Sequence, residues 1–111
     1  MFKKNYPDCW LDDLKLQLAI ADSDTSKDDL LISYLRVCRL NLWTLFYNLE
    51  LDKTGNIPDY HPWSKDETTK LATLHLATTL ATNPDINLQA RDVRTDRVVM
   101  MIIGSRMDYT A

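Results

Sequence analysis

LLISYLRVCRLNLWTLFYNLE, residues 30–50, is the stretch whose reading decides the fold. Placed on a helical wheel at about 100° per residue, Leu31, Leu35, Cys38, Leu42, Leu45 and Leu49 fall together, at alternating steps of four and three. Widened by Tyr34 and Phe46, that stripe predicts a long helix with one face turned to a core. The remaining face is not plainly polar. Ile32, Leu40, Trp43 and Tyr47 gather there, interleaved with Arg36, Arg39 and Glu50. Aromatic residues with arginine are the combination in which protein interfaces are enriched, because they bury much area at low rotamer cost. Either other elements of the same chain cover this second stripe, or another molecule does; the expectation is that it touches a neighbouring subunit or partner.

The elements on either side are also helical by pattern. Ahead of the long helix, CWLDDLKLQLAIA spaces Trp10, Leu11, Leu14 and Leu18 for a short helix, with Asp12 and Asp13 in a first turn where the helix dipole favours acids. The polar DSDTS interrupts it, and Ser26 followed by Asp29 resembles a capping box opening the long helix, which is expected to run to about Leu51 with Gly55 available to end it. DKTGNIPDYHPW holds a glycine and two prolines and reads as a loop, an unusually aromatic one. Ser64 with Glu67 predicts the start of a third helix striped by Leu71, Leu74, Ala77, Leu80 and Ala81 and stopped by Asn83-Pro84. The closing apolar run, VVMMII at 98–103, fits a buried strand or a final helix beginning near Thr95; with no second convincing strand to pair with, the helix is preferred.

The expected architecture is therefore all-α: a single domain over 1–111, a small bundle of three to four helices with one long central helix, and an apolar C-terminal segment from about 95 acting as a docking arm or last helix. A chain of 111 residues has room for one core and no more. Only two glycines, beside many Leu and Ala, argue against a turn-rich β sandwich.

Composition and spacing exclude several functions. A formal charge of −3 spread along the chain leaves no basic stripe for nucleic acid. Cys9 and Cys38 form no metal pattern and are expected as reduced thiols. The lysines of MFKKNYPDCW precede no apolar run and nothing approaches a membrane span, so a soluble intracellular protein is expected. DSDTSKDDLLIS, from Asp22, matches a calcium loop at its first, third and fifth positions; Lys27, Asp29 and Ser33 then stand where the motif needs glycine, an apolar residue and a bidentate glutamate. A helix cap is the better reading. His61 and His75 have no ligand-spaced partners, and no phosphate loop, nucleophile elbow or HExxH occurs. Neither enzyme activity nor a metal or other cofactor is expected.

The order of elements carries a resemblance. A short leading helix, DSDTSKDDLLISYLRVC opening a long one, a third helix and a terminal RVVMMIIGSRMDY resemble the small head-to-tail connector proteins of long-tailed bacteriophages. A recurring signature of that family, an Asp-Asp-Leu-Leu helix start, is matched by Asp28 to Leu31. The family's usual ending has a proline and a leucine pair before a final tyrosine-arginine; here the proline is missing and Arg106 precedes Tyr109.

The resemblance implies a structural virion protein at the head-tail interface. It would be a homo-oligomeric ring of about twelve copies beneath the portal protein, bridging it to the next connector or tail protein. The ring would line a channel that DNA passes without specific binding, with no membrane involved. Candidate interface residues are Ile32, Arg36, Arg39, Leu40, Trp43 and Tyr47 on the long helix, with Arg97, Met101, Ile102, Arg106 and Tyr109 in the C-terminal run. The competing expectation is a small helical regulatory or inhibitor protein of phage or host that occupies one protein partner through the Trp43 stripe.

Overall fold

Pro7 lacks a backbone N–H and precedes a single 3-10 turn, Asp8–Trp10, that runs directly into α1, Leu11–Gln17. The computed structural model describes residues 5–83 and 98–102. Helix α1 buries Leu11 and Leu14 as its spacing predicts, and it ends in a Schellman motif. Ile20 N–H donates to the Lys15 carbonyl at 2.9 Å and Ala19 N–H to that of Leu16 at 3.2 Å, with Ala19 in the left-handed region at φ 58°.

The acidic connection that follows is organised around a side chain from α1. Lys15 is buried, and its ammonium lies 2.8 Å from the Asp24 carbonyl, 3.3 Å from that of Asp22 and 2.9 Å from Asp28 Oδ1. The segment that partly imitates a calcium loop thus wraps a cation supplied by the chain itself. The expected capping box does not form. The Ser26 hydroxyl and N–H both donate to Asp24 Oδ1, closing a local turn, and α2, Asp28–Asn41, begins without a side-chain cap. Asp28 and Asp29 still occupy its positive first turn.

Helix α2 widens into a π-helical turn, Leu42–Phe46. Tyr47 N–H reaches back five residues to the Leu42 carbonyl, and Leu49 N–H reaches the Trp43 carbonyl. The helix therefore stops short of Leu51, and the residue that ends it is Asn48, left-handed at φ 57°. Asparagine tolerates that conformation better than most side chains. Gly55, at φ 82°, belongs instead to a tight turn in the loop, where its N–H bonds the Asp52 carbonyl at 3.0 Å.

The third helix, α3, is Glu67–Thr82, and its cap is Asp66, whose side chain accepts from Thr69 N–H at 2.9 Å. Ser64 is buried instead, with its hydroxyl on the Asp59 carbonyl. Packing and local bonding offset the weak helix propensity of the threonines. Thr69 and Thr73 are buried, while Thr79 and Thr82 return their hydroxyls to the carbonyls of His75 and Thr78. Leu74, Leu76 and Ala77 enter the core; Leu71, expected there, is exposed. The helix ends one residue before Asn83, as expected, and Pro84 lies outside the described residues.

The protein is an all-helical bundle in which α2 packs chiefly on α3 and α1 bridges the two; no strand occurs among the described residues. Residues 98–102 are helical, which settles that part of the closing run, and Val99 is fully buried in the common core with Ile102 packed against it. No helix among the described residues is long and apolar enough to cross a membrane.

Candidate functional site

The second stripe of α2 is covered by this chain. Leu31, Ile32, Leu35, Cys38, Arg39, Leu42 and Trp43 are all buried, an arc of about 140° at 100° per residue, so the two stripes read from the sequence are one. Trp43 retains 1 % of its surface. Its indole N–H donates to the Glu50 carbonyl at 3.0 Å, and its ring meets His61 edge-on at 4.9 Å between centroids. Tyr47 stands edge-on to Trp63 at 5.3 Å, and its hydroxyl pairs with Thr69 Oγ1 at 3.0 Å. His61 Nδ1 accepts from the Trp63 N–H. The π-helical turn contributes: a wider turn advances each residue less, which rotates Tyr47 back over the core beside Trp43. The aromatic loop is thus a lid on α2. The expectation that Ile32, Trp43 and Tyr47 form an uncovered face is corrected.

The two arginines of that stripe separate. Arg36 keeps its side chain 63 % exposed while its Nε, at 2.9 Å, and one terminal nitrogen grip the buried Asp8 carboxylate across the start of α1. This fork holds the Arg36 guanidinium above its usual pKa. Arg39 is only 5 % exposed and gives its Nε and one terminal nitrogen, at 3.0 and 2.6 Å, to the Ser64 carbonyl, with its guanidinium 5.9 Å above the Trp10 ring. Burial pulls its pKa down.

Between the segment before α1, these arginines and the loop after the π turn lies a cleft of about 530 Å³. Its charged lining consists of Asp8, Arg36, Arg39, Asp52 and Asp59. Asp52 is tied up locally, accepting from the Thr54 hydroxyl and from the N–H groups of Thr54 and Asn56; the hydroxyl bond leads in holding its carboxyl below the usual range. Nothing in the sequence linked Asp8 to Arg36 or Ser64 to Arg39, because the pairings span 28 and 25 residues and follow no helical period.

A row of apolar residues stays at the surface elsewhere on α2. Leu30, Val37 and Leu40 lie on its outward face, three- and seven-residue steps apart, and Leu40 is 40 % exposed. Of the candidate interface residues on this helix, Leu40 and Arg36 alone remain at the surface. In the C-terminal run Met101 is 83 % exposed and Ile102 half-buried, so only the first presents itself outward; Arg97, Arg106 and Tyr109 lie outside the described residues.

Both cysteines are free: Cys9 is half-buried and Cys38 fully buried. Burial pushes the Cys38 thiol up to about 12 and raises that of Cys9. Among the described residues no group of three His, Cys, Asp or Glu side chains is placed to hold a metal. No family model, curated protein or solved structure matches the chain.

Proposed function

We propose that this protein is a non-catalytic assembly subunit, and that it serves as a head-to-tail connector of a long-tailed phage, meeting its neighbours through the outward face of α2. The observation that carries this reading is the exposed row Leu30, Val37 and Leu40 on the central helix of a bundle whose core is already filled. Apolar residues aligned along one helix face, outside a complete core, are the pattern of a protein-protein contact. Val98, Met100 and Met101 are further exposed apolar residues, on the C-terminal helical segment. The connector setting comes from the sequence resemblance, and the ring beneath the portal is its consequence.

Light scattering of the purified protein, alone and with portal, tests the reading, with electron microscopy of the particles formed. Wild type is expected to form rings or bind portal, and Val37→Glu with Leu40→Glu to stay monomeric with unchanged helix content. A wild-type protein that remains monomeric at high concentration and ignores portal overturns the connector reading. A tight one-to-one complex with a host enzyme would establish the regulatory alternative instead.

A further inference from the structure

Arg39 is a buried cation with no carboxylate among the described residues within ion-pair distance. A guanidinium carries five N–H donors in a fixed fork. Its Nε and one terminal nitrogen converge on a single oxygen, that of Ser64, and the other terminal nitrogen makes no hydrogen bond among the described residues. Charges this deeply placed are ordinarily paired, because desolvation otherwise opposes ionisation, and burial does pull the Arg39 pKa down. The Trp10 ring supplies one compensating contact and the more distant Asp59 carboxylate another.

The side chain also lines the cleft, and so does Arg36, one helical turn away on α2. Arg36 spends its Nε and one terminal nitrogen on Asp8, and its second terminal nitrogen likewise makes no hydrogen bond among the described residues. Two guanidiniums, each with a terminal nitrogen unspent, therefore border one cavity. The geometry points to a carboxylate-binding site: Arg39 and Arg36 receive one carboxylate group in this cleft.

Charge decides the ligand class. The cleft carries three carboxylates, Asp8, Asp52 and Asp59, against its two guanidiniums. A dianion such as phosphate would meet that excess, whereas a planar single charge matches the guanidinium fork and adds the least repulsion. The carboxylate can come from an acidic protein side chain or from a small organic acid. The assignment does not depend on the assembly reading above.

Titrating the isotope-labelled full chain at constant ionic strength, while following the arginine Nε–H and Trp10 indole signals, tests it. The probes are the monoanions N-acetylglutamate α-amide and butyrate, and inorganic phosphate. Saturable movement of the Arg39 and Arg36 signals is expected with a carboxylate probe, with a dissociation constant on the order of 1 to 10 mM, and at least about tenfold weaker binding of phosphate. Tighter binding of the glutamate amide than of butyrate marks the protein side chain as the source; the reverse marks a small acid. Asp59 is exposed, so Asp59→Asn should fold normally, and by removing a repelling charge it should tighten carboxylate binding about two- to threefold. Absence of a saturable shift in wild type, phosphate binding as tight as the carboxylates, or no change in Asp59→Asn would overturn the proposal.

Discussion

The Trp43 indole donates to the Glu50 carbonyl at 3.0 Å, so the chain leaving α2 doubles back and seals the face that α2 would otherwise show to solvent. The contact makes Trp43 a core residue, against the sequence expectation that it would be an interface residue. We predict that Trp43→Ala destabilises the protein by about 3 to 5 kcal/mol, the usual cost of removing a buried aromatic ring. Trp43→Glu adds a buried charge with no partner and should lose helical circular dichroism at ambient temperature, since total stability is only about 5 to 15 kcal/mol. A folded Trp43→Glu protein would show that the lid can open without loss.

Lys15 and Asp28 are paired at 2.9 Å with side chains 1 % and 13 % exposed. Breaking a buried pair from one side is costly because it strands the other charge, and two backbone carbonyls lose their donor as well. Lys15→Met should cost about 3 kcal/mol in urea unfolding. Lys15→Met with Asp28→Asn should cost less than the sum of the single changes, by a coupling on the order of 1 kcal/mol or more. Additive effects would mean that the ammonium is held by the carbonyls alone.

Ala19 occupies the left-handed position of the motif that ends α1. That conformation costs a residue with a Cβ about 1 to 2 kcal/mol, and glycine returns part of the gain through its freer unfolded chain. Ala19→Gly should therefore stabilise the protein by up to about 1 kcal/mol, read as a higher denaturation midpoint with unchanged m value.

Cys38 gives a pH dependence whose sign follows from burial. Its folded pKa is about 12 against the ordinary 9.0, so the unfolded chain loses this proton first as pH rises. Its contribution is fully present below about pH 9 and is withdrawn between there and pH 12, by up to about 1.4 kcal/mol per pH unit. Cys9, also raised by burial, acts in the same direction. Comparison of wild type with Cys38→Ala isolates the effect: the variant should lose stability less steeply above about pH 9.

Much of the fold was legible. The helical spacing of Leu11 and Leu14, of Leu31 through Leu42, and of Leu74 and Ala77 places three helices and most of their core residues, because amphipathic periodicity is imposed by burial itself. Helix ends were less legible. Ser26 prefers Asp24 to its own helix, Asp66 caps where Ser64 was expected, and Asn48 ends α2 before Gly55. Several polar side chains near each terminus can supply the cap, and the tertiary path of the chain selects among them.

The site was less legible still. Arg36, Arg39 and Leu40 were expected at an interface; the structure buries Arg39, and the partners of both arginines lie far along the chain and carry no periodic signal. Lys15 reads as an ordinary charged helix residue until two carbonyls of the following loop and the Asp28 carboxylate at the start of α2 close around it.

By itself the sequence determined an all-helical chain whose central helix is apolar over more than a single stripe. Local spacing is sufficient for that, since it records only which side chains share a face. What covers each face was decided by tertiary structure. The loop carrying His61 and Trp63 folds back onto Trp43 and Tyr47, joining the two stripes into one buried arc and leaving Leu30, Val37 and Leu40 outside. A wheel cannot register that contact, because a loop has no period, and its route is fixed by hydrogen bonds and aromatic packing between residues distant in the chain.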